Sequence, residues 1–183
     1  MPGARLFLLF AACVLAASGI DAQNRPNLSG TWLIERPGQN PPEQRITIQQ
    51  DTKTFTVDSM GYGVAGTKST SYLFRTAFVT DGAEHPLTYE QVTPDSPVVL
   101  NIGDTTARAT WIGPQLVVMK YSTRELASPN RKFTVRRTTR EVYALDAHGN
   151  LVKDSLTIED PNPTFAELET PAPRRSVYRR AMK

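Results

Sequence analysis

The sequence predicts an all-β fold, an antiparallel up-and-down β-barrel of about 8–10 strands, on three observations. First, the 161 residues after position 22 contain 21 Thr and 12 Val against 11 Ala, a bias towards strand-forming residues. Second, apolar and polar residues alternate in short runs, and no helical period of useful length occurs. Third, Gly, Pro, Asn and Asp cluster between those runs, as they do at turns. This composition excludes a collagen, a coiled coil and a polytopic membrane protein.

The predicted strands are short runs in which polarity alternates from one residue to the next. Residues 45–49, Arg-Ile-Thr-Ile-Gln, alternate strictly, and Ala107, Ala109 and Trp111 share one face of a later run. Because successive side chains of a strand point to opposite faces, each such run can bury one side of a sheet. The predicted strands are 31–35, 45–49, 54–58, 71–80, 107–111, 116–121, 132–145, 156–159 and 175–180.

The segments between these runs are rich in turn-forming residues. Turns are predicted at 51–53, at the Asp-Gly dipeptide 81–82 and at 146–150, and 36–43 is a proline-rich loop. We expect the glycine-rich segment 60–67 to be a loop at the rim of the barrel, whereas 87–97 shows no readable pattern. An antiparallel sheet of this size buries one face and is expected to curl and close on itself.

The N-terminus has the order and size of a secretory signal peptide. Arg5 is followed by an uncharged run over 6–17 and by the small residue Ala22. We therefore expect residues 1–22 to be removed, leaving a single domain over 23–183 that is secreted or periplasmic. Membrane association is not expected after cleavage.

Two alternatives concern the same N-terminal segment. An uncleaved anchor is disfavoured because the apolar run is shorter than the ~20 residues of a membrane span. Lipidation at Cys13 is disfavoured because residues 14–17 continue the apolar run beyond it. Cys13 is the only cysteine, so the mature domain would contain no disulfide and must depend on one hydrophobic core.

The positive charge of the chain is concentrated in its last third. Residues 23–123 contain 8 basic and 9 acidic side chains, whereas residues 124–183 contain 12 basic and 8 acidic ones. Such a surface can meet nucleic acid, anionic lipid or an acidic protein. No exposed aromatics are interleaved with the arginines, so we expect no nucleic-acid partner and favour a solvated strand face. Docking of an acidic partner stays open as an alternative function.

Motifs at both ends of the domain, and others between them, follow a recognisable order. The chain has Leu-Ser-Gly-Thr-Trp at 28–32 and Val-Tyr-Arg-Arg at 177–180. The internal motifs are Ile-x-Ile-x-Gln at 46–50, Asp-Gly at 81–82, Ala-x-Trp-x-Gly at 109–113 and Leu-Asp-x-x-Gly at 145–149. Together they resemble the lipocalin-like branch of the calycin β-barrels, in particular small secreted bacterial proteins with the same two terminal motifs.

The resemblance implies a structural role for three residues at the closed end of a barrel. Gly30 and Trp32 match the Gly-x-Trp motif, whose indole lies across the closed end beneath an arginine of the last strand. That arginine is Arg179 or Arg180; phase alone does not choose, and we assign Arg179. The resemblance also implies a loop after the first strand, here 36–43, lying over the open mouth. The Thr-Asp-Tyr motif and the disulfide of longer lipocalins are absent.

No sequence motif gives a firm prediction of a catalytic, metal or cofactor site. Residues 61–66 spell Gly-x-Gly-x-x-Gly, but that fingerprint requires a following helix, and Thr, Ser and aromatic residues follow instead. His85 and His148 both fall in turns beside acids, which is typical of surface residues, and a metal site needs three or four ligands. We assign no catalytic residue, no metal ligand and no cofactor. A hydrolase or isomerase site at the barrel mouth would require polar groups clustered around one of these histidines.

The interior of the predicted barrel is the best candidate for function. Arg137 shares the phase of the apolar residues on its strand, as does Glu141, so the two are expected to pair with each other or with a ligand carboxylate. We predict that the barrel binds a small, mostly apolar molecule. The alternative is that the same aromatics simply fill the core. The predicted lining residues are Phe55, Tyr72, Phe74, Trp111, Phe133, Arg137 and Tyr143.

Overall fold

The fold is all-β. The computed structural model describes residues 25–35, 43–65, 68–92, 98–100, 105–128, 131–160 and 172–182, and these ranges contain strands and turns but no helix. In this part of the chain, no helix therefore has the length and hydropathy needed to span a membrane. The strands are β1 (Gly30–Glu35), β2 (Glu43–Gln50), β3 (Thr54–Ala65), β4 (Lys68–Val79), β5 (Glu84–Pro86), β6 (Tyr89–Val92), β7 (Val98–Leu100), β8 (Thr105–Ile112), β9 (Gln115–Ser128), β10 (Arg131–Leu145), β11 (Leu151–Asp160) and β12 (Arg174–Arg180).

All twelve strands belong to one antiparallel sheet. Their order is β5-β8-β9-β10-β11-β12-β1-β2-β3-β4-β6-β7, so most neighbours are joined by hairpins, and β12 pairs with β1. Among the described residues the ladder does not close, because β5 and β7 lie at its two ends. The predicted all-β antiparallel architecture is confirmed, but the described part of the chain contains twelve strands rather than about 8–10. The short strands β5, β6 and β7 all lie in 84–100, where the sequence pattern predicts no strand.

The sheet curls strongly. The rings of Phe55 on β3 and Tyr143 on β10 lie 5.1 Å apart although four strands separate β3 from β10. At the edge, β4 contacts β8 and leads directly into β5. The Gly82 amide donates to the carbonyl of Ala109 (3.0 Å) on β8, so the end of β4 lies close to β8 on the opposite side of the sheet.

The core occupies the concave face of the sheet. Burial alternates residue by residue along β8, as the two-residue period predicts, with Ala107, Ala109 and Trp111 turned inward. Residues of the concave face from β1, β2, β3, β4, β9, β10, β11 and β12 join them. The most deeply buried are Leu28, Trp32, Ile48, Phe55, Leu116, Val118, Val135, Tyr143 and Leu151.

Aspartates determine three of the tight turns. The side chain of Asp51 accepts hydrogen bonds from the Lys53 and Thr54 amides, and Asp81 accepts one from the Ala83 amide. Asp146 accepts from the amides of His148 and Asn150, and Gly149 adopts φ +77° beside it. Such local bonds make Asp and Gly the natural residues of tight turns. The predicted turns at 51–53, 81–82 and 146–150 are confirmed.

One predicted loop is wrong. The glycine-rich segment was expected to lie outside the strands, but β3 continues to Ala65 and pairs with β4, with Gly61 opposite Tyr72 and Gly63 opposite Thr70. Glycine disfavours a strand only weakly, and a long neighbouring strand supplies its backbone partners. Since β4 begins at Lys68, the helix that a dinucleotide fingerprint requires does not follow.

The Gly-x-Trp motif lies at one end of the curled sheet. Trp32 is 1% exposed, and its indole nitrogen donates to the carbonyl of Leu28 (2.9 Å). The guanidinium carbon of Arg180 lies 5.2 Å from the ring centroid, and its Nη2 donates to the carbonyl of Ser29 (2.7 Å). A side chain on Gly30 would meet Arg180 at 3.2 Å, and its φ of +144° also favours glycine.

This geometry corrects the assignment of Arg179. Arg180 lies opposite Trp32 in the ladder between β1 and β12, on the same face, whereas Arg179 is opposite Leu33. Arg179 instead forms an ion pair with Glu35 (2.8 Å), and both side chains are about 70% exposed. Register across strands far apart in sequence decides between the two arginines.

We expect the two arginines to differ in their contribution to stability. Arg180→Met should cost about 1 kcal/mol, because it removes a cation from the indole face and a hydrogen bond to a carbonyl. Arg179→Met should cost less than about 0.5 kcal/mol, since exposed ion pairs contribute little. Urea melts of both variants measure the difference. Equal losses would show that the contact with Trp32 does not stabilise the fold.

Candidate functional site

The concave face changes from apolar to polar along the strands. The change can be followed along the facing residues of β10 and β11. Inward-facing pairs recur at every second residue of these strands. The pairs begin next to the buried end and become hydroxylic and charged further along. In order they are Leu145–Leu151, Tyr143–Lys153, Glu141–Ser155, Thr139–Thr157 and Arg137–Glu159.

A cavity of about 190 Å³ lies where the apolar and polar zones meet. Its walls combine aliphatic and aromatic groups with hydroxyls, an amide and two ammonium groups. The lining residues are Gln44, Ile46, Val57, Ser59, Thr76, Phe78, Tyr89, Lys120, Tyr143, Lys153 and Tyr178.

A buried carboxylate holds the two lysines at this cavity. Glu141 is 6% exposed. Its Oε2 lies 2.8 Å from Lys120 Nζ, and its Oε1 lies 2.8 Å from Lys153 Nζ. Tyr143 donates its hydroxyl proton to Glu141 Oε2 at 3.0 Å. Both lysines line the cavity, so the carboxylate is neutralised from the side on which a ligand would enter.

Strand register brings these charges together. Lys120 lies opposite Thr139 on β10, and Lys153 lies opposite Tyr143, so both are diagonal neighbours of Glu141. Long side chains reach across such diagonals. The ammonium groups also lie over aromatic faces, with Lys120 Nζ 5.4 Å from the Phe78 centroid and Lys153 Nζ 5.4 Å from that of Tyr143.

The electrostatics of the cluster favour an ionised glutamate. Burial raises the pKa of Glu141, but the charges and hydrogen bonds of Lys120 and Lys153 outweigh it and lower the pKa to about 2. Burial, followed by the neighbouring carboxylate, raises the pKa of Tyr143 well above its ordinary value. At neutral pH the carboxyl group of Glu141 is therefore ionised and the phenol of Tyr143 is neutral.

A wider groove of about 460 Å³ adjoins the cavity and shares Tyr89 and Lys120 with it. Arg137 lies in the groove and pairs with Glu159, with its Nε 2.6 Å from Glu159 Oε1. The expected pairing of Arg137 with Glu141 is therefore wrong, because the antiparallel register puts Glu159 opposite Arg137. The remaining lining residues are the hydroxylic side chains Thr105, Ser122, Thr123 and Thr139.

The predicted lining residues separate into four groups. Tyr143 lines the cavity and Arg137 lines the groove. Phe55 and Trp111 belong to the buried core and line neither space. Phe74 lies on β4 opposite Ser59 and lines neither space. The side chains of Tyr72 and Phe133 lie outside the described residues.

Sequence reasoning missed Lys120 and Lys153. Both lie on the inward face of their strands, and a lysine in phase with apolar neighbours such as Leu116 and Val118 was a usable signal for Lys120. Periodicity could not identify Glu141 as the ion-pair partner of these lysines, because Glu141 is on another strand and the contact depends on register.

Among the described residues, neither histidine belongs to a catalytic cluster. The prediction that His85 falls in a turn is wrong, because it lies on β5 opposite Ala107, with its Nε2 3.0 Å from Asp81. His148 is exposed in the turn of Asp146, as predicted. Within the described ranges, no group of three His, Cys, Asp or Glu side chains could hold a metal ion.

Several arginines of the basic last third are already paired on the convex face. Arg175 binds Asp154 through two hydrogen bonds of 2.8 and 2.9 Å, which lower the pKa of Asp154. Arg179 pairs with Glu35 as described above. These pairs reduce the positive field that an acidic partner would meet.

Comparison with known proteins gives no assignment for this site. No protein-family model, no curated protein and no solved structure matches the chain. A function for this chain must therefore be proposed from its fold and from the contacts within it.

Proposed function

We propose that this chain is an exported, lipocalin-like β-barrel that binds a small molecule in its interior. Closure of the barrel is supported by the contact of β4 with β8 and by the bond from the Gly82 amide, in the turn after β4, to the carbonyl of Ala109 (3.0 Å) on β8. The motifs at 28–32 and 177–180 and the stacking of Arg180 on Trp32 agree with the same family resemblance.

The observation that carries the proposal is the cavity beside Glu141. An enclosed space of about 150 Å³ is enough for a molecule the size of benzene, and this cavity measures about 190 Å³ and continues into a wider groove. Ile46, Val57 and Phe78 supply an apolar wall, whereas the lysines and hydroxyls supply directed polar contacts. Apolar walls with a few placed polar groups are typical of small-molecule sites.

The ligand we propose is less apolar than the sequence alone indicated. The apolar end of the interior is filled by side chains such as Trp32, Phe55 and Leu116, all at most 1% exposed. The remaining space has a mixed wall, and the buried Gln44 Oε1 has no hydrogen-bond partner among the described residues. An amphipathic molecule with a ring-sized apolar part suits these walls.

Filling the cavity should abolish binding without unfolding the protein. Thr76 lines the cavity and Ala77, its neighbour on β4, is exposed on the opposite face. Thr76→Trp should weaken binding of a neutral naphthalene dye by at least about tenfold, because the indole occupies the space of the ligand. Ala77→Trp is the matched control and should bind as the wild type does.

Dye fluorescence titrations measure both affinities, and near-ultraviolet circular dichroism checks the fold. Unchanged binding by a folded Thr76→Trp variant would place the ligand elsewhere. Absence of binding to the wild type at micromolar dye would contradict the proposed function. Native mass spectrometry of protein purified from its own host would identify a retained ligand.

A further inference from the structure

We propose that the cavity selects a monoanionic ligand, a carboxylate attached to a ring-sized apolar group, which Lys120 and Lys153 bind together. This inference rests on the proposed function, since it names the ligand class of the same cavity. Neither lysine was among the lining residues predicted from sequence.

The first step of the argument is charge. Lys120 and Lys153 contribute two positive charges and Glu141 one negative charge, so the cluster carries a net charge of +1. One carboxylate from a ligand would make it neutral. A dianion would leave the site with a net charge of −1. Uncompensated charge is costly in a site that is mostly removed from water.

The second step is geometry. Each ammonium group has three N–H donors, of which Glu141 accepts one from each lysine. The lysines are anchored by that carboxylate and by the faces of Phe78 and Tyr143, and both line the cavity. Two ammonium groups held apart by a bridging carboxylate can donate to the two oxygens of a second carboxylate. Glu141 is thus a positioning residue, and the lysines are the ligand-binding residues.

The third step is shape. The apolar part of the cavity wall includes Ile46, Val57 and Phe78, and the cavity volume of about 190 Å³ limits the apolar group of the ligand to the size of one or two rings. Longer substituents would extend into the groove that shares Tyr89 and Lys120. The geometry therefore favours an aromatic or similarly compact carboxylic acid.

The test compares 2-naphthoate with 2-naphthamide, which has nearly the same shape and no charge, by calorimetry on the full mature protein. Naphthoate should bind at least about tenfold more tightly at neutral pH, because hydrogen bonds to charged groups stabilise more than neutral ones. Raising the salt concentration should weaken naphthoate and leave naphthamide unchanged.

Lys153→Met keeps the apolar stem and removes the charge. It should reduce the preference for naphthoate to within about twofold, while naphthamide, which reports an intact cavity, binds as before. Lys53→Met, in the exposed turn after β2, is the matched control and should keep the full preference.

The outcomes separate the two proposals. Equal binding of acid and amide to the wild type would overturn the anion site and leave the interior binding site standing. Binding of neither compound would overturn both. Tighter binding of 2-naphthyl phosphate than of naphthoate would overturn the assignment to a monoanion. If Lys153→Met fails to fold, the acid–amide comparison and its salt dependence on the wild type still decide.

Discussion

Trp32→Ala should lower the free energy of unfolding by about 3–5 kcal/mol, the usual loss when a buried Trp becomes Ala. Trp32 is 1% exposed and lies against the core at the Gly-x-Trp end of the sheet. The change would also leave the Leu28 carbonyl without the indole donor and Arg180 without the ring beneath its guanidinium. The loss of these two contacts adds to the destabilisation caused by the cavity that alanine leaves.

Urea unfolding followed by far-ultraviolet circular dichroism measures this loss. The dependence of the unfolding free energy on urea concentration should be the same in variant and wild type if both unfold in a two-state transition. Trp32→Phe is the intermediate variant, because it keeps a ring for Arg180 but has no donor for Leu28. We expect it to lose less than Trp32→Ala. A loss below about 1 kcal/mol for Trp32→Ala would mean that this residue does not hold the end of the sheet together.

Glu141→Gln should be the second large effect, with a loss of about 3 kcal/mol at pH 7. Removing one partner of a buried ion pair typically costs about 3–5 kcal/mol, because the remaining charge stays desolvated. The two lysine side chains retain 20% and 26% exposure, which places the expected loss at the lower end. Glu35→Gln removes an exposed carboxylate paired with Arg179 and is the matched control, with an expected loss below about 0.5 kcal/mol.

The same residue should make stability depend on acid pH. The pKa of Glu141 falls from 4.5 to about 2 on folding, so the unfolded chain takes up a proton first as the pH drops. The stabilisation is therefore complete above about pH 5, declines as the pH falls below 4.5, and is lost below about 2. Over this window it amounts to about 3 kcal/mol.

Paired urea melts of wild type and Glu141→Gln between pH 7 and pH 2.5 isolate this contribution. Other carboxylates with lowered pKa values, such as Asp51, Asp146 and Asp154, titrate in both proteins and cancel in the difference. The difference between the two proteins should be constant near neutrality and shrink in acid. A difference independent of pH would show that Glu141 is not the stabilising charge.

Local pattern accounts for most of what could be predicted. Strand positions follow from the two-residue period, as in β2 and β8, and the aspartate turns follow from side-chain bonds within four residues. The importance of Trp32 was also visible, through its motif. The loop predicted at 60–67 failed because a neighbouring strand outweighed the weak preference of glycine.

The candidate site illustrates what local pattern does not contain. Periodicity put Glu141 and Arg137 on the inward face and left them to pair with each other or with a ligand carboxylate. In the structure Lys120 and Lys153 bind Glu141, and Glu159 binds Arg137. Each of these contacts joins different strands. Their partners depend on which residues the ladders set opposite one another.

The sequence by itself determined the all-β class, the inward face of strands such as β2, β8 and β10 and most of the turns, because these depend on neighbouring residues. Only the tertiary structure decided that Arg180 rather than Arg179 covers Trp32, and that Lys120, Glu141 and Lys153 meet at one cavity. Alternation specifies the face on which a side chain lies. Register and the curl of the sheet, which arise from pairing between distant strands, specify the residue that it meets.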